Sequence, residues 1–576
     1  MGFEQISLPE KGSVEDNLMG LVLKNPNLRL LVNNKTVIRA DHGSLNKVKI
    51  ISGGGSGHEP AMSGFVGAGF LTASVSGEIF AAPSSSDIFQ TILELGKDHE
   101  PGILIIILNY TGDRLNFGLA IERARSYNIN VEMCIVNDDC AIKNYIPSVG
   151  RRGLAGAVLI NKIACALSDK GWCLKDISSF INCILAEKRI KSIGISINKD
   201  NVELGKGVHG EPGSMFLKLD SEDYRSMVNK MLNTLFEDLP KSSKHFFILI
   251  NNLGGHTATE MCTIRNEVIL QLKDEYRDYF NNGVVRIYCG TYLTSLNVKG
   301  FSISILLGDE LITECMDHLC DTDAWKASYI NLENYLYDDI FIKNKYSIEI
   351  ENIEPTGPKL SSNGSKMVHQ SLYYICEALV SCEKQLNIID SEAGDGDTGS
   401  TIARGAAEIL KLLETEALNL NYPEIFLIQI SKVAEKFMGG TSGALYSIFF
   451  QAASIVFKQC LVINLASWTT ALNNGIKAIQ NHGHSKVGER TMLDPLHAVL
   501  NALNNSIPRT EPEFRALEQA TEAAEQAALL TVNMPPQAGR AVYSRKSVNT
   551  QYPDAGAHAV GIWMRALCEA VRTFTM

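Results

Sequence analysis

Two short stretches set a histidine among glycines with Glu-Pro close behind: GGGSGHEPAMSG, beginning at Gly53, and GVHGEPGSM, beginning at Gly207. A neutral imidazole with cleared surroundings serves as a base or nucleophile toward a substrate, which makes His58 and His209 candidate catalytic residues. A metal pair is a weaker reading, because neither histidine has the second nearby ligand that one helix or loop usually supplies. The plain alternative is structural, each ring satisfying backbone groups. The run Gly53, Gly54, Gly55, Ser56, Gly57 reads as a loop after a buried strand, bare enough for backbone amides to approach a polar ligand. No Gly-Lys-Ser/Thr follows it, and the G-x-G-x-x-G register fails at His58, so a small polar substrate is expected there and not a nucleotide phosphate.

A third element, NYTGDRLNFG (Asn109 to Gly118), follows a strand-like run ending at Leu108. Ligands bind at the C-terminal ends of parallel strands, so Asp113, read as part of a tight turn, is a candidate to orient or deprotonate a hydroxyl. An Asx-turn aspartate is the alternative. Further on, NIIDSEAGDGDTGST puts Asp390, Asp395 and Asp397 in one loop. Carboxylates this close repel unless a cation neutralises them. The loop is not an EF-hand, because the twelfth position from Asp395 is Ala406, and hard oxygen ligands with glycine freedom suit Mg²⁺ shared with phosphate oxygens. MGGTSGALYSIFF (Met438 to Phe450) runs from a glycine turn into an apolar helix that Thr441 or Ser442 can cap. GERTMLDPL and AGRAVY bring Arg490 and Arg540 near helix ends, although exposed arginines are usually just solvated. His482 and His484 in NHGHSK read as loop.

The elements that must position these residues fall into two halves. Up to about residue 345, β-rich runs alternate with helical stretches, as in an α/β layer fold. The strand candidates are VKIIS (from Val48), GILIIIL, VEMCIV, FFILINNL, VRIYCGTY and FSISILLGD. NIEPTGPKLSSNGSK reads as a linker, and after it about eight amphipathic stretches suggest an all-α bundle. The expected domains are 1–345, with a subdomain boundary near 190–200, a linker at 346–366, and 367–576.

Composition narrows the class. The chain has 576 residues, 45% of them hydrophobic, enough for several cores. A net charge of -11 argues against non-specific nucleic-acid binding, which needs a basic face. The 13 cysteines form no C-x-x-C pair, as expected for reduced thiols in a cytoplasmic protein. The first residues carry no secretory pattern, and no stretch reads as a membrane span.

Taken in order, GGGSGHEP, NYTGD, RRGLAG, GVHGEPG, NNLGG, AGDGD, MGGTSGALY, RTMLDPL and a GRA-Y ending resemble the ATP-dependent dihydroxyacetone kinase family, in its single-chain triokinase/FMN cyclase form. The resemblance covers nearly the whole chain. It implies a dihydroxyacetone-binding α/β domain of two subdomains, then an eight-helix barrel that binds ATP. His209 would hold the triose as a hemiaminal, His58 and Asp113 would act on the hydroxyl to be phosphorylated, and Gly53 to Gly57 would line the triose. Asp390, Asp395 and Asp397 would hold Mg²⁺. The nucleotide would be lined by Thr398, Gly399, Ser400, Thr401, Thr441, Ser442 and Gly488, with Arg490, Thr491, Met492, Arg540, Asp554 and Gly556 in the neighbouring motifs. The resemblance also implies a homodimer. Its alternatives are FAD cleavage to AMP and cyclic FMN by the helical domain with Mn²⁺ or Co²⁺, or a non-catalytic binding relative. A reversible carbon–nitrogen bond would suit a triose, which has few atoms for non-covalent affinity.

The chain departs from the family pattern in places. Leu108 stands where the family has a lysine, the segment before His209 is short, and Ala555 interrupts an Asp-Pro-Gly. Leu108 is therefore expected to lower triose affinity.

Overall fold

The computed structural model describes residues 12–143, 145–146, 149–197, 201–218, 223–240, 245–280, 284–326, 329–331, 354–392, 394–506, 512–538 and 551–575. The chain forms two compact units, Met1–Lys343 and Asn344–Met576.

The first unit is built on two sheets. Helix α1 (Ser13–Lys24) leads into β1 (Leu28–Leu30), β2 (Thr36–Arg39), β3 (Lys49–Ser56), β4 (Ala73–Ile79), β5 (Ile103–Leu108) and β6 (Val131–Val136), which pair in the order β1-β2-β4-β3-β5-β6. Strands β3, β4, β5 and β6 are mutually parallel, so their C-terminal ends share one edge. All six residues of β5, ILIIIL, are buried, the pattern of a strand covered on both faces. Each such side chain removed from water contributes about 1.5–3 kcal/mol. Helices α2 (Ser85–Gly96) and α3 (Thr111–Ser126) pack on this sheet.

Helix α4 (Gly156–Asp169) is buried on every side from Gly156 to Ser168. It touches β3, β5 and β6, and also β7 (Ile190–Ile197) of the second sheet, and this enclosed helix is mostly apolar, with Lys162 and Ser168 donating to the carbonyls of His318 and Val48. After α5 (Leu174–Ala186) and β7 come β8 (Asn201–Leu204), β9 (Met215–Lys218), α6 (Tyr224–Phe236) and β10 (His245–Asn252). Then follow α7 (Ala258–Asp274), α8 (Arg277–Phe280), β11 (Val284–Gly290), β12 (Gly300–Gly308), α9 (Glu310–Asp317) and β13 (Ile330–Asn331). The second sheet runs β13-β11-β10-β12-β7-β8-β9 and is mixed, with β10 and β11 its parallel pair. The change of sheet falls between β6 and β7, just ahead of the expected subdomain boundary.

The second unit is helical. Of the expected linker, residues 346–353 lie outside the described residues. The amides of Thr356 and Gly357 donate to Glu424 at 3.0 and 2.9 Å, and Ser361 caps the next helix, so Ser362–Lys366 are already helical. Helices α10 (Ser362–Ser381), α12 (Thr398–Glu414), α13 (Pro423–Val433), α14 (Gly440–Gln459), α15 (Leu465–Gly483), α16 (Leu493–Ser506), α17 (Glu513–Leu530) and α18 (Ala555–Thr575) pack each on the next, and α18 closes on α10. That is the eight-helix barrel. The short α11 (Glu383–Ser391) is a ninth helix among the described residues, and a π-helical turn, Ala434–Met438, joins α13 to α14. The barrel encloses an apolar cavity of about 150 Å³.

One expectation fails here. Helix α14 is long and apolar enough to cross a membrane by length and composition, with a mean hydropathy of 1.2. Its scattered Gly, Ser and Gln residues hide this in a count of consecutive apolar residues. In the structure it packs between α13 and α15. All 13 cysteines are free thiols, as expected.

Candidate active site

The glycine run that reads as a loop is the end of β3 itself. A Cβ on Gly53 would overlap the carbonyl oxygen of Val75, and one on Gly55 would lie 2.9 Å from the amide nitrogen of Ala81. Bare residues let β3 lie against β4 and the turn beyond it. Gly54 (φ 151°) faces elsewhere, 3.8 Å from the Oδ1 of Asp113 measured from an added Cβ. Gly57 (φ 96°) turns the chain away at the strand end, leaving His58 at the C-terminal edge of the sheet.

His58 meets His209 there. Their Nε2 atoms are 3.1 Å apart, with the rings edge to face at 86°. His58 is buried, and its Nδ1 lies 2.9 Å from the carbonyl oxygen of Thr294, so Nδ1 carries the proton and donates it. Burial, reinforced by the charge of His209, pushes the His58 imidazolium down to about 4. His58 is therefore neutral near pH 7, with a free Nε2 lone pair. Tyr110 packs edge-on against His209 with centroids 4.5 Å apart, and Phe80 lies 5.6 Å away on the same ring.

Asp113 is not in a tight turn. It occupies the first turn of α3, buried, and its Oδ1 has no hydrogen-bond partner among the described residues. Burial raises its carboxyl to about 7, against the pull of His209. A carboxylate poised near neutrality and aimed at nothing suits proton transfer to or from a ligand.

Sequence reasoning missed the residues that hold this pair. Glu211 accepts from the His209 backbone amide at 2.9 Å and lies 3.3 Å from His209 Nδ1. Arg152, inside RRGLAG, donates through Nε to Asp139 at 2.8 Å and through a terminal nitrogen to the Gly205 carbonyl at 2.6 Å. This ties the segment carrying His209 to the end of β6. Ser295 donates to the Val208 carbonyl at 2.6 Å. Asn251, inside NNLGG, fixes that loop by accepting from the amides of Tyr292 and Leu293. Leu108 is core, its side chain lying over Gly153.

In the helical unit, Asp390, Asp395 and Asp397 each offer an oxygen within 4.8 Å of the others, the metal-ligand group found among the described residues. One Asp390 oxygen accepts from the amides of Gly396, Asp397 and Thr398 at 2.9, 3.1 and 3.3 Å. That folds the loop onto the start of α12 and keeps Asp390 beside the two exposed acids. An all-carboxylate set of hard donors fits Mg²⁺.

The expected nucleotide residues divide into supports and open positions. Gly399 and Thr401 are buried, and a Cβ on Gly399 would overlap the Glu383 carbonyl. Ser400 donates to Glu383 at 2.7 Å and accepts from Asn387. Thr398 begins α12. Thr441 and Ser442 do not cap α14. They sit in its first turn, and the N-cap is Gly439 (φ 69°), with no side-chain cap. The expected capping fails because the chain enters the helix through two left-handed glycines, and the helix-start amides keep no side-chain acceptor.

Arg490 is not a solvated surface residue. It is buried in a left-handed backbone (φ 62°), donating to the Tyr552 carbonyl at 3.0 Å. Asp494, also missed, accepts from the amides of Gly488 and Thr491 at 2.5 and 2.8 Å. Met492 is core, and Asp554 caps α18 through the Ala557 amide, with Gly556 beside it. Burial raises the Asp554 carboxyl to about 6; Arg490 opposes this, and Asp390 and Asp494 add to it. The motifs thus converge at one end of the barrel. Arg540 lies outside the described residues. His482 is in the last turn of α15 and His484 is its C-cap.

An α/β unit carrying paired imidazoles is followed in the chain by a helical barrel carrying a cluster of three aspartates. The family model for the Dak1 domain matches residues 19–324, and that for the DAK2 domain matches residues 392–569. The mouse protein Triokinase/FMN cyclase is 35% identical, with 98% of each chain covered. The Citrobacter freundii dihydroxyacetone kinase is 33% identical over 97% of each. The crystal structure of the C. freundii enzyme aligns at a TM-score of 0.68, covering 99% of this chain and all of that one. Its complex with AMP-PNP and Mg²⁺ aligns at 0.66, covering 98% of this chain and 99% of that one. The chain belongs to the dihydroxyacetone kinase family.

Proposed function

We propose that the protein phosphorylates dihydroxyacetone, and glyceraldehyde, from Mg-ATP. The observation that carries this reading is the 3.1 Å contact between the His58 and His209 imidazoles beside the unpartnered Asp113 oxygen. His209 Nε2 adds to the substrate carbonyl, which selects carbonyl compounds over glycerol. Neutral His58 lies within hydrogen-bond reach of that nitrogen and handles its proton. Asp113 takes the proton of the hydroxyl that attacks the γ-phosphorus. Asp390, Asp395 and Asp397 would hold Mg²⁺, which when bound offsets charge on the transferring phosphoryl group. The AMP-PNP and Mg²⁺ complex of the C. freundii relative supports a nucleotide with Mg²⁺ as the phosphoryl donor.

ATP consumption with dihydroxyacetone tests the reading. His209→Ala is expected to lose about 10³-fold or more in kcat/KM together with the covalent adduct seen by mass spectrometry. Equal activity in the variant would remove the covalent mechanism. A homodimer in which each helical unit serves the partner chain is part of the proposal. Activity regained on mixing His209→Ala with Asp395→Asn protein supports it, and failure to regain any counts against it.

The name of the mouse relative, which includes FMN cyclase, favours a second activity, and we propose it as cleavage of FAD to AMP and cyclic FMN in the helical unit with Mn²⁺ or Co²⁺. His209→Ala leaves that activity intact, and chromatography of FAD incubated with Mn²⁺ shows whether cyclic product forms.

A further inference from the structure

We infer that Glu211 is the counter-ion of His209, holding its Nδ1 proton and balancing the positive charge the ring carries once Nε2 is bonded to substrate carbon. This rests on the reading of His209 as the nucleophile.

The argument starts from hydrogen-bond arithmetic. The Thr294 carbonyl can only accept, so His58 donates from Nδ1 and presents a bare Nε2. The Glu211 carboxylate can only accept, so the facing His209 Nδ1, 3.3 Å away, carries a proton. The Nε2–Nε2 contact at 3.1 Å needs one proton between its two nitrogens, and with His58 bare it belongs to His209. These partners place protons on both His209 nitrogens, an imidazolium beside a carboxylate.

The surroundings are built for that charge. Glu211 is anchored by the His209 amide at 2.9 Å. A Cβ on Gly207 would overlap its Oε2, so the preceding glycine leaves the space the carboxylate fills. Burial alone would raise the Glu211 carboxyl, but hydrogen bonds from the His209 ring and from backbone amides hold it down at about 2. Arg152 pins the same segment at the Gly205 and Pro212 carbonyls.

The addition step then balances. The His209 Nε2 proton passes to His58 Nε2, and the freed lone pair bonds to the carbonyl carbon. The carbonyl π pair moves to oxygen, which takes the proton back from His58. His58 ends neutral, and the His209 ring, now bearing Nδ1–H and Nε2–C, keeps one positive charge against Glu211. The pair is charged before and after the step, so the counter-ion need not reorganise. Glu211 acts through His209 and is a positioning residue.

The full-length protein with dihydroxyacetone as probe tests this. Glu211→Gln is expected to lower adduct occupancy and kcat/KM by about 10- to 100-fold. Glu211→Asp restores most of both, and nucleotide affinity stays unchanged in each variant, while E211Q melts lower than the parent at neutral pH because the ionised Glu211 carboxylate stabilises the fold. Wild-type adduct formation in E211Q, with the adduct lost in His209→Ala, overturns the counter-ion role and leaves the nucleophile reading standing. An adduct that persists in His209→Ala overturns the nucleophile reading instead. Should E211Q fail to fold, E211D decides: adduct retained supports the proposal, and a folded E211D without adduct overturns it.

Discussion

Asp113, in the first turn of α3, and Asp395, just ahead of α12, are both acids near a helix start, yet their surroundings are opposite. Asp113 is buried, its carboxyl raised to about 7, with an oxygen facing no donor. Asp395 is exposed in a glycine-bounded loop, within 4.8 Å of two more carboxylates. Proton transfer needs a group whose ionisation has been brought near working pH, and burial does that. Holding a cation that keeps some of its water needs dense negative charge with access to solvent, and burial would oppose that. One unit spends apolar packing on its acid, and the other spends backbone amides on Asp390 so that the two exposed acids stay together.

Removing charge from the exposed cluster sharpens the contrast most. Asp395→Asn is expected to reduce triose phosphorylation by about 10³-fold and to abolish FAD cleavage as well, measured side by side with Mg²⁺ or Mn²⁺ titrated from low concentration. Loss of one activity alone would mean that the loop does not serve both.

The buried acid should fail differently. Asp113→Asn loses about 10²–10⁴-fold in triose phosphorylation and spares the helical unit's chemistry. In the parent protein the rate climbs with pH through about 7, because the base works only when ionised, and it is flat above. Stability runs the other way. The folded value lies above the ordinary 3.8, so ionising Asp113 costs folding free energy, absent below about 4 and complete above about 7. D113N therefore melts higher than the parent at pH 8 and the same at acid pH. A parent rate that ignores pH between 6 and 8 would break the assignment.

The smallest effect belongs to Leu108. Leu108→Lys trades a core side chain for an ammonium, so a lower melting temperature is expected together with a KM for dihydroxyacetone lowered about 3- to 10-fold, the worth of one added hydrogen bond. An unchanged KM counts against a role in triose affinity.

How much of this was legible in the chain depended on how local each cause was. Strand β5 announces itself because six consecutive apolar residues have no other stable use. Strand β4, ASVSGEI, carries small and polar residues and gives no such signal, although Val75 is what makes the β3 glycines necessary. The glycine run was misread as loop for that reason: the missing side chains make room for a neighbouring strand. The aspartate cluster was readable because three aspartates within eight positions have no packing explanation. Thr294 was not, since it lies 236 residues from the His58 ring it orients. Glu211 stood in plain view two residues from His209, but its partner depends on a turn pinned by Arg152. The burial of Arg490 against the Tyr552 carbonyl has no local signal, since its partner lies 62 residues away.

The loop from Tyr292 to Leu296 grips both histidine segments at once. Thr294 holds the His58 ring and donates its hydroxyl to the Glu59 carbonyl at 2.7 Å, while Ser295 holds Val208, the residue before His209. Asn251, at the end of β10 in the other sheet, sets that loop. The gap between the two rings is thus gauged from outside the strand edge that displays them. Substitutions around Asn251 can widen or narrow it and so retune which carbonyl compounds are admitted, leaving both imidazoles untouched.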